Sequence, residues 1–419
     1  MKVITKALVA GGMLTLSLAA QSQTTYLVTD LGPVGSQPGQ PFAVNNEGVV
    51  AGVVVSPDNV AHGMVSYKGY NYDLATPGLG GTNSLAHSVN QTGQAVGNAE
   101  TAALDPHNED FCGYKALGLV THGTTCLPFL WQDGVITPLA TLGGNNGIAS
   151  LINNRSQAVG WSETAQPDPT CPFPLTTQFK PTLWSIGSVQ ALPLAPGDQD
   201  GVAIAINDHG QAVGASGACT NFNLINGTQL QALHALLWQN GVATDLGNLG
   251  GTGHGGGNIA LYINNQGQVV GNSDLKGDKT NHAFLWTKQK GMQDLGTLPG
   301  DAISVGIWIN DNGIIAGVSA DANFNPRGFV WQNGVMTDLN TVVSPGSSLY
   351  LLTACSVNAS GQVIGFAVDK NTGDLHGYLA TPRPGTSDFS SNAASQERPV
   401  LSASVRRLLQ QRMRGVMNP

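Results

Sequence analysis

VNNEGVVAG at Val44–Gly52, VNQTGQAVG at Val89–Gly97, INNRSQAVG at Ile152–Gly160, INDHGQAVG at Ile206–Gly214, INNQGQVVG at Ile263–Gly271, INDNGIIAG at Ile309–Gly317 and VNASGQVIG at Val357–Gly365 are seven copies of one pattern, Ile/Val-Asn-x-x-Gly-x-x-x-Gly. Their asparagines stand at 45, 90, 153, 207, 264, 310 and 358, in steps of 45, 63, 54, 57, 46 and 48 residues. A fixed unit with insertions of variable length marks a repeat architecture, in which each unit buries its apolar face only against its neighbours. The pattern specifies a scaffold and, by itself, no activity.

Four strand-like runs recur around each copy. The two arms of the motif come first, such as Ala205-Ile206-Asn207 and Gln211-Ala212-Val213-Gly214. An apolar-aromatic run follows: Phe129-Leu130-Trp131, Thr182-Leu183-Trp184, Leu236-Leu237-Trp238, Phe284-Leu285-Trp286 and Phe329-Val330-Trp331. A run ending in Asp-Leu closes the unit, as at Val242–Leu246, Met292–Leu295 and Val335–Leu339. Asn-x-x-Gly reads as a tight hairpin, since Asn bonds its own following backbone and Gly accepts positive φ. Ser156 replaces that glycine in the third copy and is expected to be strained there. Asp133-Gly134, Asn240-Gly241 and Asn333-Gly334 are two-residue hairpin signals between the last two runs.

Each unit is thus a four-stranded antiparallel meander, and seven in series predict an all-β, seven-bladed β-propeller. The ends complement each other: Tyr26–Gly32 matches only the Asp-Leu strand and His376–Ala380 only the aromatic strand. The N-terminal strand is therefore expected to join the last blade and close the ring, removing two free sheet edges. The small, Gly-rich first arm suits the crowded centre, and the Asp-Leu strand the rim. The recurrent aromatics (Tyr67, Trp131, Trp184, Trp238, Trp286, Trp331) then pack between blades rather than stack on sugars. Both tight hairpins of every blade fall on one face. The other face carries the insertions 98–127, 161–180 and 215–233, and variable loops on a rigid scaffold are where binding concentrates.

Residues 1–22 read as a signal peptide, with Lys2 and Lys6 ahead of the short apolar stretch Ala7–Ala20 and small residues after it. Residues 23–382 form the propeller, and 383–419 a linker with a short basic tail in which Leu401, Val405, Leu408 and Leu409 share one helical face. The expectation is an exported chain, secreted or periplasmic, with no transmembrane segment after cleavage. The formal charge of −8 becomes −10 without Lys2 and Lys6, and a tail of six arginines against Asp388 and Glu397 leaves the body near −14. Such a body excludes nucleic acid as a partner, because phosphate binding needs clustered Lys and Arg. Cys112, Cys126, Cys171 and Cys219 all lie in the insertions. Cys112–Cys126 and Cys171–Cys219 are one pairing and Cys126–Cys171 a rival, between which spacing does not choose. Cys355 is expected to be a buried free thiol in an inner strand.

His282-Ala283-Phe284-Leu285-Trp286, Asp294-Leu295-Gly296-Thr297-Leu298 and Ile263–Gly271 together resemble the HAF-type bacterial extracellular repeat, named for its His-Ala-Phe tripeptide. Partial copies stand at His234-Ala235-Leu236, His376-Gly377-Tyr378 and His62-Gly63-Met64, and the likeness spans about residues 25–382. It implies an exported repeat protein and carries no catalytic motif. Blades 2, 3 and 6 depart at the histidine, with Pro128, Pro181 and Arg327 near it.

The recurrent histidines (His62, His234, His282, His376) belong to different blades and do not predict a metal ring, since ligands must converge within a few ångströms. A bond from each to nearby backbone or carboxylate is expected. The acids Asp30, Asp73, Asp245, Asp294 and Asp338, one per blade, are expected to cap turns rather than pair as a glycosidase requires. The better ligand candidates precede the inner strands, at the channel mouth on the insertion face: Asn83, His87, Asn145, Asn146, Asp198, Asp200, His254, Asp301 and Ser304. The glycine run at Gly251–Gly257 lacks the Lys-Ser/Thr and strand-to-helix context of a phosphate loop. No cofactor, metal or catalytic residue is expected. The leading expectation is a non-catalytic scaffold binding a glycan or an envelope protein. A polysaccharide hydrolase or lyase at the channel mouth and a structural matrix component are the alternatives.

Overall fold

The computed structural model describes residues 24–383 apart from 34–39, 46–48, 68–69, 75–77, 116–117, 170, 172–175, 220–229 and 344–345, together with 398–403, 405, 406 and 409. Residues 1–22, expected to be a signal peptide, and 384–397, expected to be a linker, lie outside the described residues. Six antiparallel sheets of four consecutive strands span 40–73, 80–138, 143–191, 200–245, 259–294 and 303–338. The seventh runs from Thr25–Pro33 through Leu375–Arg383 and Val363–Asp369 to an inner strand broken into Leu349–Leu351 and Ser356–Val357. The chain is a seven-bladed β-propeller. Its N-terminal strand pairs with the last strand from Thr25↔Arg383 to Pro33↔His376 and closes the ring.

The second glycine of the motif has a defined cause. In six blades the inner strand slips register by one residue opposite it, passing over Phe42, His87, Ser150, Ile204, Leu261 and Ile307. These are β-bulges, which bend a strand and increase its twist. At the bulge the inner strand presses against its neighbour so closely that a Cβ on Gly97, Gly160, Gly214, Gly271 or Gly317 would stand 1.8–2.2 Å from the facing carbonyl oxygen. Only glycine admits that approach. The broken seventh strand makes the same demand, with a Cβ on Gly365 2.1 Å from Thr353 O.

The motif asparagine is the joint between blades. Asn207 Oδ1 accepts from the amides of His209 and Gln211, both at 3.0 Å, and so caps its own hairpin. Its Nδ2 donates to Gln211 Oε1 at 2.8 Å and to the carbonyl of Asn264, the next motif asparagine, at 2.9 Å. The same inter-blade bond runs from Asn45 to Asn90, Asn90 to Asn153, Asn153 to Asn207, Asn264 to Asn310 and Asn310 to Asn358, at 2.7–3.0 Å. Buried amides in folded proteins are nearly always hydrogen-bonded, and each of these six serves both the turn and the ring. Ser156 sits at φ +57°, the left-handed region expected to strain it, and its Oγ donates to Gln94 Oε1 at 2.8 Å.

Separate apolar clusters lie between successive blades. Trp131, Trp184 and Trp238 are buried in them, and the indoles of Trp184 and Trp238 donate to Ala140 O and Pro193 O of the preceding blade at 2.7 and 2.6 Å. The Tyr67 side chain lies outside the described residues.

Candidate functional site

The axis is layered. On the hairpin face opens a cavity of about 250 Å³ lined by the inner-strand ends of all seven blades. Its rim is polar because at four blade junctions the residue after the motif asparagine accepts a bond from the neighbouring blade. Asn154 Oδ1 accepts from Gln91 N at 2.8 Å, Asp208 from Asn154 N at 2.9 Å, Asn265 from Asp208 N at 3.0 Å, and Asp311 from Asn265 N at 2.8 Å. Tyr262 and Trp308 line one side with rings stacked at 3.7 Å. They occupy the position before Ile-Asn, where other copies carry Ala43, Ser88, Leu151, Ala205 and Ser356. Burial first, then the carboxylates of Asp311 and Asp208, push the Tyr262 phenol well above its ordinary range.

Below this collar the axis is apolar. Phe42, Ile204, Leu261 and Ile307, four of the bulged residues, join one cluster with Leu85, Ile148, Val202, Ile259 and Val305. His87, a fifth, is enclosed beside them with its ring against Phe42 at 6.0 Å and bonded through Nε2 to Asn98. Burial lowers its pKa below the usual histidine value, so the ring is neutral at pH 7.

On the insertion face the mouth is covered by the chain itself. Phe111 and Tyr114 of the 98–127 insertion, and Leu401, Val405 and Leu409 of the C-terminal segment, belong to the same axial cluster. Cys112 is bonded to Cys126 and Cys171 to Cys219, which fixes the pairing. Cys355 is free and lies in the break of the seventh inner strand rather than within a strand. Its thiol is pushed up to about 11 by burial.

The residues predicted for ligand contact on this face are engaged in the scaffold. Asn83, Asn146 and Asp200 occupy one equivalent position: each accepts a backbone N–H from the third strand of the preceding blade, at Ala61, Cys126 and Phe179, 2.9 Å away. Ser304 lies one position further on and accepts from Ala283 N at 2.8 Å, as Ser84 does from Gly63 N. Asn83 Nδ2 also reaches Glu100, and the Asn145 and Asn146 amides reach Glu163, at 2.9–3.1 Å. Asp198 accepts from His234 Nδ1 at 2.8 Å and from Ser216. His254 meets Gln231 Nε2 at 2.8 Å. Asp301 binds Arg327 at 3.0 Å and also Arg398 of the tail. The structure brings Asn145 and Asn146 together on Glu163; Asn83 and His87 share one inner strand, Asp198 and Asp200 lie at the start of a second and Asp301 and Ser304 at the start of a third. The glycine run wraps the chain's own anion, since the Gly255 and Gly256 amides donate to Asp274 at 2.8 and 2.7 Å.

The repeat histidines pair with carboxylates, as expected. His62 meets Asp73, His282 Asp294 and His376 Asp30, each at 2.9 Å. Arg327, which replaces the histidine in blade 6, meets Asp338 at 2.8 Å. Asp30, Asp245, Asp294 and Asp338 also cap their turns through the amide two residues on, at 2.7–2.9 Å.

Two buried acid pairs under the insertions had no signal in the sequence. Burial and then Glu163 push the Glu109 carboxyl far above the carboxylate range. Burial, with Asp168 adjacent, pushes Asp200 up to about 7. Glu109 Oε2 and Asp200 Oδ2 meet no donor among the described residues.

No protein-family model and no curated protein matches the chain. Solved structures similar to it include the β-propeller domain of the trilobed protease from Pyrococcus furiosus, at 11% identity and TM-score 0.44 over 72% of this chain and 80% of that one. A puromycin-hydrolysing peptidase of Mycobacterium tuberculosis is 12% identical at TM-score 0.45, over 83% of this chain and 56% of the peptidase. An ulvan lyase, a polysaccharide lyase bound to its glycan, is 11% identical at TM-score 0.38 over 86% and 98%. These are likenesses of fold.

Proposed function

We propose that the chain is an exported, non-catalytic HAF-type scaffold that holds a glycan of neutral or amino sugars at the hairpin-face mouth of its axis. The observation that carries this reading is the Tyr262–Trp308 stack set into a cavity rimmed by amides and carboxylates. Aromatic surfaces take the apolar faces of sugar rings, while amide and carboxylate groups bond the hydroxyls that project around them. The Tyr262 hydroxyl and the Trp308 indole N–H have no hydrogen-bond partner among the described residues, which leaves both available at the cavity. Asp208 and Asp311 on the rim disfavour uronates by like charge and favour amino sugars. The stitched asparagines, capped aspartates and His–Asp pairs support a scaffold role, because each is already bonded within the ring. The two disulfides suit an oxidising compartment, and no helix among the described residues is long and apolar enough to cross a membrane.

The test is retention of the purified protein on immobilised neutral, amino-sugar and uronate glycans, with newly formed chain ends counted in parallel. Retention on the first two without new ends is expected, and Trp308→Ala is expected to weaken it at least about tenfold. No retention on any glycan sinks the reading, and new ends formed at turnover make the protein an enzyme instead.

A further inference from the structure

The covering of the insertion-face mouth has the features of a bound partner rather than of an eighth structural element. Leu401, Val405 and Leu409 recur every four residues, and all three are at least nine-tenths buried in the axial cluster. The backbone is helical at residues 403, 405, 406 and 409. Ser402 starts the turn: its carbonyl accepts from Arg406 N at 2.9 Å and its Oγ from Val405 N at 3.2 Å. Two arginines clamp the rim of blade 6. Arg398 binds Asp301 and, at 3.0 Å, Asp321, and Arg406 Nη2 donates to Asn325 Oδ1 at 3.1 Å.

The ring does not need this segment to close, because Thr25–Pro33 and Leu375–Arg383 already complete the seventh blade. Residues 384–397 separate the last propeller strand from Arg398. A linker of that length holds its helix at an effective concentration on the order of millimolar. An interface of three aliphatic side chains and two arginines is small enough to open against that tether.

We propose that the insertion-face cup is a receptor for an amphipathic helix with aliphatic side chains at i, i+4 and i+8 and an arginine three residues before the first. Residues 398–409 are its resident, displaceable occupant, and a second polypeptide with this pattern enters when the resident helix leaves. The acidic rim at Asp301 and Asp321 selects for the basic flank, and the apolar axis selects for the aliphatic face. This site lies on the opposite face from the glycan cavity and stands independently of it.

The test uses the full chain carrying Leu401→Asp and Val405→Asp, which keeps the tail attached and undocks it. The probe is a labelled peptide of residues 398–419. The variant is expected to bind the peptide one to one, at least about tenfold tighter than the wild-type chain with its filled cup. The peptide bearing the same two substitutions is expected to bind neither chain, and high salt to weaken uptake. A folded variant that takes up no peptide, or equal uptake by both chains, overturns the proposal. If the double variant does not fold, Arg398→Glu decides: it touches only the charged clamp and is expected to raise uptake several-fold, and unchanged uptake overturns the proposal.

Discussion

His376 Nδ1 lies 2.9 Å from Asp30 Oδ1, joining residues 346 apart in sequence. The same histidine–aspartate bond in blade 5, His282 to Asp294, joins residues 12 apart within one hairpin. Identical chemistry thus serves two purposes. In blade 5 it trims a hairpin that is already covalently continuous. In blade 7 it helps latch the two ends of the chain, where no turn holds the strands together.

His376→Ala is expected to lower global stability by only about 1 kcal/mol, since Asp30 is partly exposed and such pairs are weak. Its distinct effect is on the latch. Hydrogen exchange in the strand Thr25–Pro33 is expected to rise at least about tenfold, while His282→Ala leaves exchange in Gly291–Asp294 nearly unchanged. Equal effects in the two blades would show that the latch does not depend on this bond.

Asn207→Ala removes the turn cap and one blade joint together. Four hydrogen bonds lose their partner, and buried amides and carbonyls are left unsatisfied, so a loss of about 2–4 kcal/mol is expected. Gln266→Ala, on an exposed residue of the neighbouring hairpin, serves as the control and is expected to stay within about 0.5 kcal/mol. Denaturant midpoints that do not separate the two variants would contradict the joint.

Gly214→Ala drives a methyl to 2.0 Å from the Val202 carbonyl oxygen. The backbone must move at the bulge, and a loss above about 3 kcal/mol is expected. Ser156→Gly runs the other way. It releases a left-handed backbone at φ +57° and sacrifices one side-chain bond, for a net gain of up to about 1 kcal/mol. A calorimetric Tm for Ser156→Gly below that of the parent would refute the strain.

Glu109 titrates above its unfolded value, so between the two the folded chain keeps a proton that the unfolded chain has released. Stability attributable to it is present below the unfolded pKa of about 4.3 and declines as pH rises towards the folded value. Asp200 acts in the same direction between its unfolded value and about 7. Glu109→Gln keeps an acceptor for Thr176 and gives Glu163 a donor. It is expected to raise Tm by roughly 2–5 °C at about pH 8 with little change near pH 4. A Tm gain that is the same at both pH values would exclude the buried acid as its source.

Much of the scaffold was legible because it is local and periodic. Seven Asn-x-x-Gly hairpins, the Asp-Gly and Asn-Gly turns and the complementary ends Tyr26–Gly32 and His376–Ala380 each follow from backbone chemistry over a few residues. The strain at Ser156, the histidine–carboxylate bonds and the turn-capping aspartates followed from the same reasoning. The candidate site was less legible. Asn83, Asn146 and Asp200 each stand seven residues before their motif asparagine, but the residue type there changes and the partner lies on another blade, so the spacing alone does not disclose the bond. Tyr262 and Trp308 stand out from their repeat position only once that position is known to face the cavity.

By itself the sequence determined the number of blades, the order of strands and the closure of the ring, since repeated short-range patterns admit few arrangements. Only the tertiary structure decided that Leu401, Val405 and Leu409 cover one mouth of the axis, that the open cavity lies at the other, and that Glu109 meets Glu163 beneath the insertions. Those contacts join segments without periodicity across long stretches of chain. Their partners are chosen by what the folded ring brings together in space and leaves unfilled.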